Sequence, residues 1–180
     1  ASQDDLDTML EQMAELVLDA GAMDVLVADT PAKIKDAWAA RSSFLEAIMH
    51  ETKLLDECDV VVPVNKIADY LDFVNKTGEE CGLVIKSFGH AGDGNLHIYQ
   101  CSNDLEEEEF KSRVDKFFEI IYKEAASCGG LVSGEHGIGS GKIKYLVDSV
   151  GETNMALMEG IKRVFDPKMI LNPGKVCYRL

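Results

Sequence analysis

Residues 88–100 read FGHAGDGNLHIYQ, and this stretch decides the fold because it predicts an antiparallel pair of strands. We expect strands at 83–90 and 95–101, joined at the Gly-Asp-Gly turn. If Asp93 and Gly94 form a two-residue type I′ turn, His90 and His97 become cross-strand partners with Cβ atoms about 4.5–5.5 Å apart. Any loop with an even number of residues keeps both imidazoles on one face of the hairpin, where they could share a metal ion.

A second glycine-rich segment, SGEHGIG at 133–139, carries another histidine. A single histidine beside a turn is commonly an ordinary loop or strand residue. Three of the four histidines lie in these two segments, however, which favours a site. The fourth, His50, falls on an amphipathic helical stretch and is interpreted as a surface residue. Glu135 is the best candidate for a third metal ligand, and His136 would then be free for acid–base work.

The composition limits the classes of protein to which the chain can belong. With 180 residues and 46% hydrophobic side chains, it can bury a full core as one compact domain or two closely packed halves. It has no run of the ~18 apolar residues that a membrane span requires. The formal net charge of −14 argues against nucleic acid or an anionic membrane surface as a partner. Five scattered cysteines without a C-x-x-C pattern indicate reduced thiols and a cytoplasmic location.

Apolar periodicity and turn residues predict helices that alternate with strands. We expect helices at 5–20, 31–51, 67–82, 105–127 and 151–165, further strands at 24–28 and 59–63, and a turn-like tail at 171–176. Because the two hairpin strands are adjacent in the sequence, the sheet is at least partly antiparallel. This pattern predicts an α+β fold and not a doubly wound parallel one. The glycines after Ser133 match neither the P-loop nor the dinucleotide-binding pattern.

Three motifs, in this order, resemble the C-terminal domain of the FAD-linked oxidases: GHAGDGNLH at 89–97, SGEHGIG at 133–139 and LNPGK at 171–175. More narrowly, they are similar to the D-2-hydroxyacid dehydrogenases of the glycolate oxidase D-subunit and D-lactate dehydrogenase group. The segment AWAAR at 37–41 matches a fourth element of that group. The resemblance implies one substrate- and metal-binding domain over 1–180, with a ferredoxin-like, largely antiparallel sheet covered by helices.

The resemblance also implies a role for each matching residue. His90, His97 and Glu135 would bind a divalent metal, for which zinc, iron(II) and manganese remain open. His136 would be the catalytic base that takes the hydroxyl proton of the substrate while a hydride leaves for the flavin. Arg41 would bind the substrate carboxylate, a role that suits a bidentate guanidinium group.

FAD is the cofactor that the resemblance implies, and in this family a preceding domain binds most of it. The chain starts with Ala and not Met, so we expect a fragment from which that FAD-binding domain is absent. Within the chain, Asn172, Glu135 and Gly137 would lie beside the cofactor. The implied partners are the FAD-binding domain, a small 2-hydroxy acid and a protein that accepts the electrons.

Departures from the family pattern bear on the substrate. Relatives that act on 2-hydroxyglutarate carry Lys, Thr and Asn where this chain has Glu57, Leu45 and Tyr99. An acidic and an apolar residue are poor partners for a second carboxylate, so a small monocarboxylate such as D-lactate or glycolate is expected. Two other functions stay open: a stand-alone metal-dependent hydrolase that uses the same ligands, and a non-catalytic subunit that docks on a separate flavoprotein.

Overall fold

A computed structural model describes residues 2–177, which fall into two compact units that divide between Ala47 and Ile48. The first unit contains α1 (Gln3–Asp19) and α2 (Pro31–Ser42), and the boundary lies within α3 (Phe44–Glu51). The second unit contains β1 (Leu54–Val61), α4 (Ile67–Cys81), β2 (Val84–His90), β3 (Asn95–Ser102), α5 (Glu107–Ser127) and α6 (Ile143–Phe165). None of the helices in the described part of the chain is long and apolar enough to cross a membrane.

The first unit differs from the sequence prediction in two places. The strand expected at 24–28 is wrong, because these residues form irregular chain and pair with none of the described strands. The single helix expected from Pro31 to Glu51 is divided at Ser43, whose backbone N–H and hydroxyl both donate to the carbonyl of Ala40. A serine that binds the preceding turn in this way competes with continued helix formation. The predicted start is confirmed, since Thr30 accepts a hydrogen bond from the Lys33 N–H.

The sheet of the second unit is antiparallel, with strand order β1-β3-β2. An isolated antiparallel bridge joins Val61, at the end of β1, to Leu131 on the free side of that strand. The connections β1-α4-β2-β3-α5 followed by this bridge give the spatial order of a ferredoxin-like sheet whose fourth strand is reduced to one pair. The predicted α+β fold with an antiparallel sheet covered by helices is therefore confirmed.

Each strand of this sheet has one apolar face and one polar face. Cys58 and Val60 of β1 lie in the core with Ile98 of β3, and α4 and α5 supply Val74 and Phe117 to the same cluster. Side chains alternate along a strand, so Glu57, Asp59 and His97 lie on the opposite face. The β1–β3 register pairs Asp59 with His97 and Glu57 with Tyr99. The helices thus cover one face of the sheet and leave the other for polar groups.

The hairpin between β2 and β3 is confirmed, but its turn is longer than expected. His90 pairs with Asn95 and Phe88 pairs with His97, which leaves a four-residue loop at 91–94. The two-residue turn is therefore wrong, and His90 and His97 are diagonal neighbours. The contact of the loop with β1 accounts for this register, because the Val62 N–H donates to the Gly94 carbonyl over 3.0 Å. The even loop length keeps both histidines on one face, as predicted.

The last helix, α6, begins earlier than the expected residue 151. It starts at Ile143 and is interrupted at Gly151, which has φ 77° and ψ 164°. The second segment corresponds to the helix predicted at 151–165. After it the tail turns back, and the Val176 N–H donates to the carbonyl of Gly139 over 2.7 Å. This bond places the tail beside the glycine-rich loop.

Candidate active site

The polar face of the hairpin brings together the three predicted metal ligands. Oε1 of Glu135 lies 2.9 Å from Nε2 of His97 and 3.7 Å from Nε2 of His90. The rings of the two histidines are 5.5 Å apart, and the ligand atoms of all three residues lie within 4.8 Å of one another. His97 comes from the central strand, and its side chain is only 6% exposed. Two ligands are therefore fixed by the sheet, and the third comes from the loop at 133–137.

A second group of donors lies on the other side of His97. Oε1 of Glu57 is 3.5 Å from Nδ1 of His97 and 3.5 Å from Nδ1 of His136, and it accepts a hydrogen bond of 2.9 Å from the Tyr99 hydroxyl. The Nδ1 atom of His97 is buried, and within the described residues it has no partner closer than this carboxylate. His97 thus directs Nδ1 toward Glu57 and Nε2 toward Glu135.

His136, the predicted base, lies beside this cluster. Its ring centroid is 4.9 Å from that of His97, and its Nε2 is 4.0 Å from Glu135 Oε1. The side chain is 42% exposed, so it can meet a small molecule from solvent. A partly exposed imidazole whose Nδ1 lies 3.5 Å from a carboxylate is suited to proton transfer.

The donor set fits a divalent metal. Two neutral imidazole nitrogens and one carboxylate oxygen are the ligands that catalytic zinc and non-haem iron(II) sites use, with further positions left for substrate or water. The orientation of His97 agrees with this, because a ligating imidazole commonly directs its other nitrogen to a carboxylate. His90, His97 and Glu135 are therefore the residues that could hold an ion.

A cavity of about 450 Å³ opens next to His136. Its wall contains Glu57, Lys142 and the glycine-rich loop, together with Lys175 from the tail. A cavity of this volume is within the range of small-molecule sites. The cavity brings the segment 171–176 and the loop at 133–139, which are far apart in the sequence, to one place.

The remaining predicted residues are not all brought together. Gly137 lies in the loop with φ 78°, and its N–H donates to the Ser133 hydroxyl. Asn172 lies in the tail with φ 45°. Arg41 lies in the first unit, in the last turn of α2. The structure thus joins the metal and base residues directly, while these three occupy the loop, the tail and the first unit.

Two polar residues of the site were not predicted, Asp59 of β1 and Lys142, which directly precedes α6. Glu57 of β1 was predicted only to bear on the substrate and not to face the histidines. Burial by itself would raise the pKa of Asp59, but the Lys142 ammonium and the N–H groups of His136 and Glu135 hold it well below its usual range. The signal for the two acids was present in LLDECDVV at 54–61, since a spacing of two places both on one face of a strand. The predicted strand began at residue 59 and missed this pattern. Lys142 gave no comparable signal.

Comparisons with known proteins identify the family of the chain. Residues 1–176 match the family described as FAD linked oxidases, C-terminal domain. The chain is 60% identical to a D-lactate dehydrogenase of Anaerostipes hadrus over 179 residues, 99% of this chain and 38% of the relative. It is 38% identical to a D-lactate dehydrogenase of Archaeoglobus fulgidus over 171 residues, 94% of this chain and 37% of the relative. It is also 34% identical to the glycolate oxidase subunit GlcD of Bacillus subtilis over 169 residues, 93% of this chain and 35% of the relative.

The chain therefore spans less than two-fifths of the length of each of these relatives. In each comparison the matched region includes at least 93% of this chain. The antiparallel sheet packed against helices is consistent with this family match. On this evidence the chain belongs to the family of FAD-linked oxidase C-terminal domains.

Proposed function

We propose that this chain is the substrate- and metal-binding part of a flavin-dependent enzyme that oxidises a small D-2-hydroxy acid, such as lactate or glycolate, to the 2-oxo acid. The observation that carries the proposal is the convergence of His90, His97 and Glu135, with His136 beside them. The 60% identity to a D-lactate dehydrogenase supports the substrate class.

Oxidation of a 2-hydroxy acid requires that a proton leave the hydroxyl group and a hydride leave the α-carbon. We assign the proton to Nε2 of His136, because its Nδ1 faces Glu57 at 3.5 Å and Asp59 at 3.9 Å. These carboxylates stabilise the imidazolium that forms when Nε2 takes the proton. Arg41 is assigned to the substrate carboxylate, for which a guanidinium group offers two parallel hydrogen bonds.

Two groups from outside the chain complete the chemistry. A divalent ion bound by His90, His97 and Glu135, whether zinc, iron(II) or manganese, would polarise the 2-hydroxyl group and make its deprotonation easier. FAD would accept the hydride, and we assign most of its binding to a flavin-binding domain that is not in this chain. Asn172, Gly137 and Glu135 are the residues of this chain that we place beside it.

The charges of the site favour a small monocarboxylate. The Glu57 carboxylate lies 3.5 Å from Nδ1 of His136 and is partly exposed, so a substrate with a second carboxylate would meet a negative charge there. A monocarboxylate needs only one cationic partner.

We also propose that the electrons pass from FAD to a separate acceptor protein and that the enzyme works in a reducing compartment such as the cytoplasm. All five cysteines lie within the described residues and none forms a disulfide there, which supports a reducing compartment.

Metal content tests the ligand assignment directly. The chain is incubated with zinc, iron(II) or manganese, freed of excess ion and measured by elemental mass spectrometry. We expect about one ion per chain in the wild type and in His50→Ala, which removes a histidine outside the site. His97→Ala and Glu135→Ala should both lose it. Equal loading of all four proteins, or no loading of the wild type, would refute the assignment.

The role of His136 is tested in the complete flavoenzyme, in which this chain is joined to its flavin-binding domain. His136→Ala should lower kcat for D-lactate by about 10²–10⁴-fold, the usual contribution of a general base, and should retain both metal and flavin. Flavin reduction under anaerobic single-turnover conditions isolates this step. Unchanged flavin reduction in the variant would remove His136 from the mechanism.

A further inference from the structure

The carboxylate of Asp59 lies under the loop that carries Glu135 and His136. Its side chain is fully enclosed, with 0% exposure. Oδ2 accepts three consecutive backbone N–H groups, from Gly134 at 2.7 Å, Glu135 at 2.7 Å and His136 at 3.0 Å. Three successive N–H groups that point at one oxygen require the loop to curve around it. The path of the backbone at 134–136 is therefore tied to this one atom.

Two further side chains close the arrangement. The Ser133 hydroxyl donates to Asp59 Oδ2 over 3.0 Å and accepts the Gly137 N–H over 3.0 Å, so it joins the two ends of the loop. The Lys142 ammonium pairs with Asp59 Oδ1 and also donates to its carbonyl oxygen over 3.1 Å. A buried carboxylate is stable only when such partners compensate its lost hydration.

The loop is largely exposed, although Gly134 lies against the side chain of Asn95. Residues 134–137 are exposed, and the loop contains glycines at 134, 137 and 139, of which the last two have positive φ. Loops with few buried contacts open easily unless a specific group fixes them. Asp59 supplies such a group from the rigid side, because it lies on β1, directly opposite His97 of β3.

From this geometry we propose that Asp59 is a positioning residue: through the backbone N–H groups of the loop it holds Glu135 against His90 and His97, and it holds His136 beside them. Lys142 is its counterion, and Ser133 transmits the contact to the far end of the loop. The inference rests on the proposed function, since it concerns the placement of the metal ligand and base named there.

The test compares Asp59→Asn with Asp166→Asn in the chain as it exists. Asp166 is a matched control because it is also buried, also accepts two backbone N–H groups, from Ile170 and Leu171, and also pairs with a lysine, Lys162. None of these contacts of Asp166 is with the loop at 133–137. Zinc affinity is measured by competition with a chromophoric chelator, and circular dichroism confirms that each variant is folded.

We expect Asp59→Asn to weaken zinc binding by about 10–100-fold, the usual effect of removing a group that orients a metal ligand. Asp166→Asn should stay within about twofold of the wild type. Amide hydrogen exchange gives a readout that needs no metal: the N–H groups of 134–136 should be protected in the wild type and exchange faster in Asp59→Asn.

A milder pair of variants covers the case in which Asp59→Asn does not fold. Ser133→Ala removes the hydroxyl group and should both weaken zinc binding and expose the Gly137 amide to exchange. Ser133→Thr keeps the hydroxyl group and should restore both. A difference between two such similar side chains reports the hydrogen bonds and not the general stability of the fold.

Each negative result has a distinct meaning. Equal zinc affinity and equal amide protection in folded Asp59→Asn and wild type would overturn the role of Asp59 and leave the metal site in place. A wild type that binds no zinc, iron(II) or manganese would instead overturn the proposed function. In that case, amide exchange at 134–136 would still decide whether Asp59 holds the loop.

Discussion

Glu57 places a carboxylate next to two histidines of the candidate site. Its carboxylate faces Nδ1 of both His97 and His136 and accepts the Tyr99 hydroxyl, so one acidic group contacts both the proposed ligand and the proposed base. It is also part of the cavity wall. A substrate in that cavity would therefore meet a negative charge close to the proton acceptor.

The charge of Glu57 predicts substrate preference in the complete flavoenzyme. Glu57→Lys should raise the ratio of kcat/KM for D-2-hydroxyglutarate over D-lactate by about fivefold or more, because reversing a charge a few ångströms from a carboxylate is worth at least ~1 kcal/mol even at high effective dielectric. The ratio is the measured quantity, since the loss of contacts to both histidines lowers activity on either substrate. Glu57→Gln, which only removes the charge, should give an intermediate ratio; an unchanged ratio in both variants would show that the second carboxylate binds elsewhere.

The turn of the hairpin is held by Val62, the residue that follows β1, as well as by its own residues. Gly94 has φ 81°, and a Cβ built on it would lie 1.9 Å from the carbonyl oxygen of Val62. Its own carbonyl accepts the Val62 N–H. The glycine thus lets two backbones approach more closely than any side chain would allow, and this contact sets the position of His90.

Substitution within this turn should separate close approach from loop flexibility. Gly94→Ala should lower the free energy of unfolding by about 2–4 kcal/mol, because it combines a left-handed backbone with a clash against backbone atoms. Gly92→Ala, two residues away in open space, should change it by no more than about 1 kcal/mol. Urea unfolding followed by circular dichroism measures both. Similar effects of the two substitutions would contradict the close contact.

The tail after α6 predicts a dependence on pH. Burial by itself would raise the pKa of Asp166, but the N–H of Leu171, the Lys162 ammonium and the N–H of Ile170 lower it below its ordinary value. The unfolded chain therefore binds the proton more readily, and this stabilisation is present above about pH 4 and is lost as the pH falls toward the folded-state pKa. Between about pH 5 and pH 3, Asp166→Asn should lose less stability than the wild type. A parallel decline in chemical-denaturation curves would exclude this contribution.

Local signals predicted the elements well where a local interaction decides them. Helix α4 ends at Gly82, which has φ 67°, and the hairpin strands lie where the alternation placed them. The predicted turn was two residues too short, since its length depends on the contact between Gly94 and Val62, which are far apart in the sequence. The strand at 24–28 failed because a strand needs a neighbour, and no local pattern reports whether one is available.

The candidate site was predicted to the extent that its residues lie in motifs. The two histidines of the hairpin and the pair Glu135 and His136 converge as expected. Asp59 was missed because its donors lie 74 to 83 residues further along the chain and its burial is not visible in the sequence. In the folded chain Asp59 is buried and accepts several hydrogen bonds from the loop. Neither the burial nor these partners can be read from the sequence.

At the scale of the whole molecule, the second segment of α6 exposes a continuous apolar stripe. Its members are spaced as one helical face and are all exposed: Leu157, Ile161, Val164 and Phe165. Large exposed apolar surfaces of this kind commonly mark an interface. Because the chain spans 38% of the D-lactate dehydrogenase that it resembles at 60% identity, we propose that this stripe packs against the flavin-binding part of the complete enzyme.

This proposal predicts a defect that appears only in the complete enzyme. Ile161→Asp should leave the thermal unfolding of the present chain nearly unchanged, since the side chain is exposed there. In the complete flavoenzyme it should reduce the amount of FAD that stays bound after gel filtration. Ala156→Asp introduces the same charge on the opposite face of the helix and should retain the flavin. Equal flavin content in the two variants would place the interface elsewhere.

The alternation of side chains along β3 also makes the site depend on the register of the strand. Its even and odd positions carry different tasks: Leu96 and Ile98 fill the core, while Asn95, His97 and Tyr99 face the site. A slip of one residue during folding would exchange the two sets and bring an imidazole into the apolar layer. A chain with this shifted register would lose the core packing and the arrangement of the site together. It would therefore not form a stable fold with a defective site. In this sheet, the register that buries the core is also the register that assembles the site.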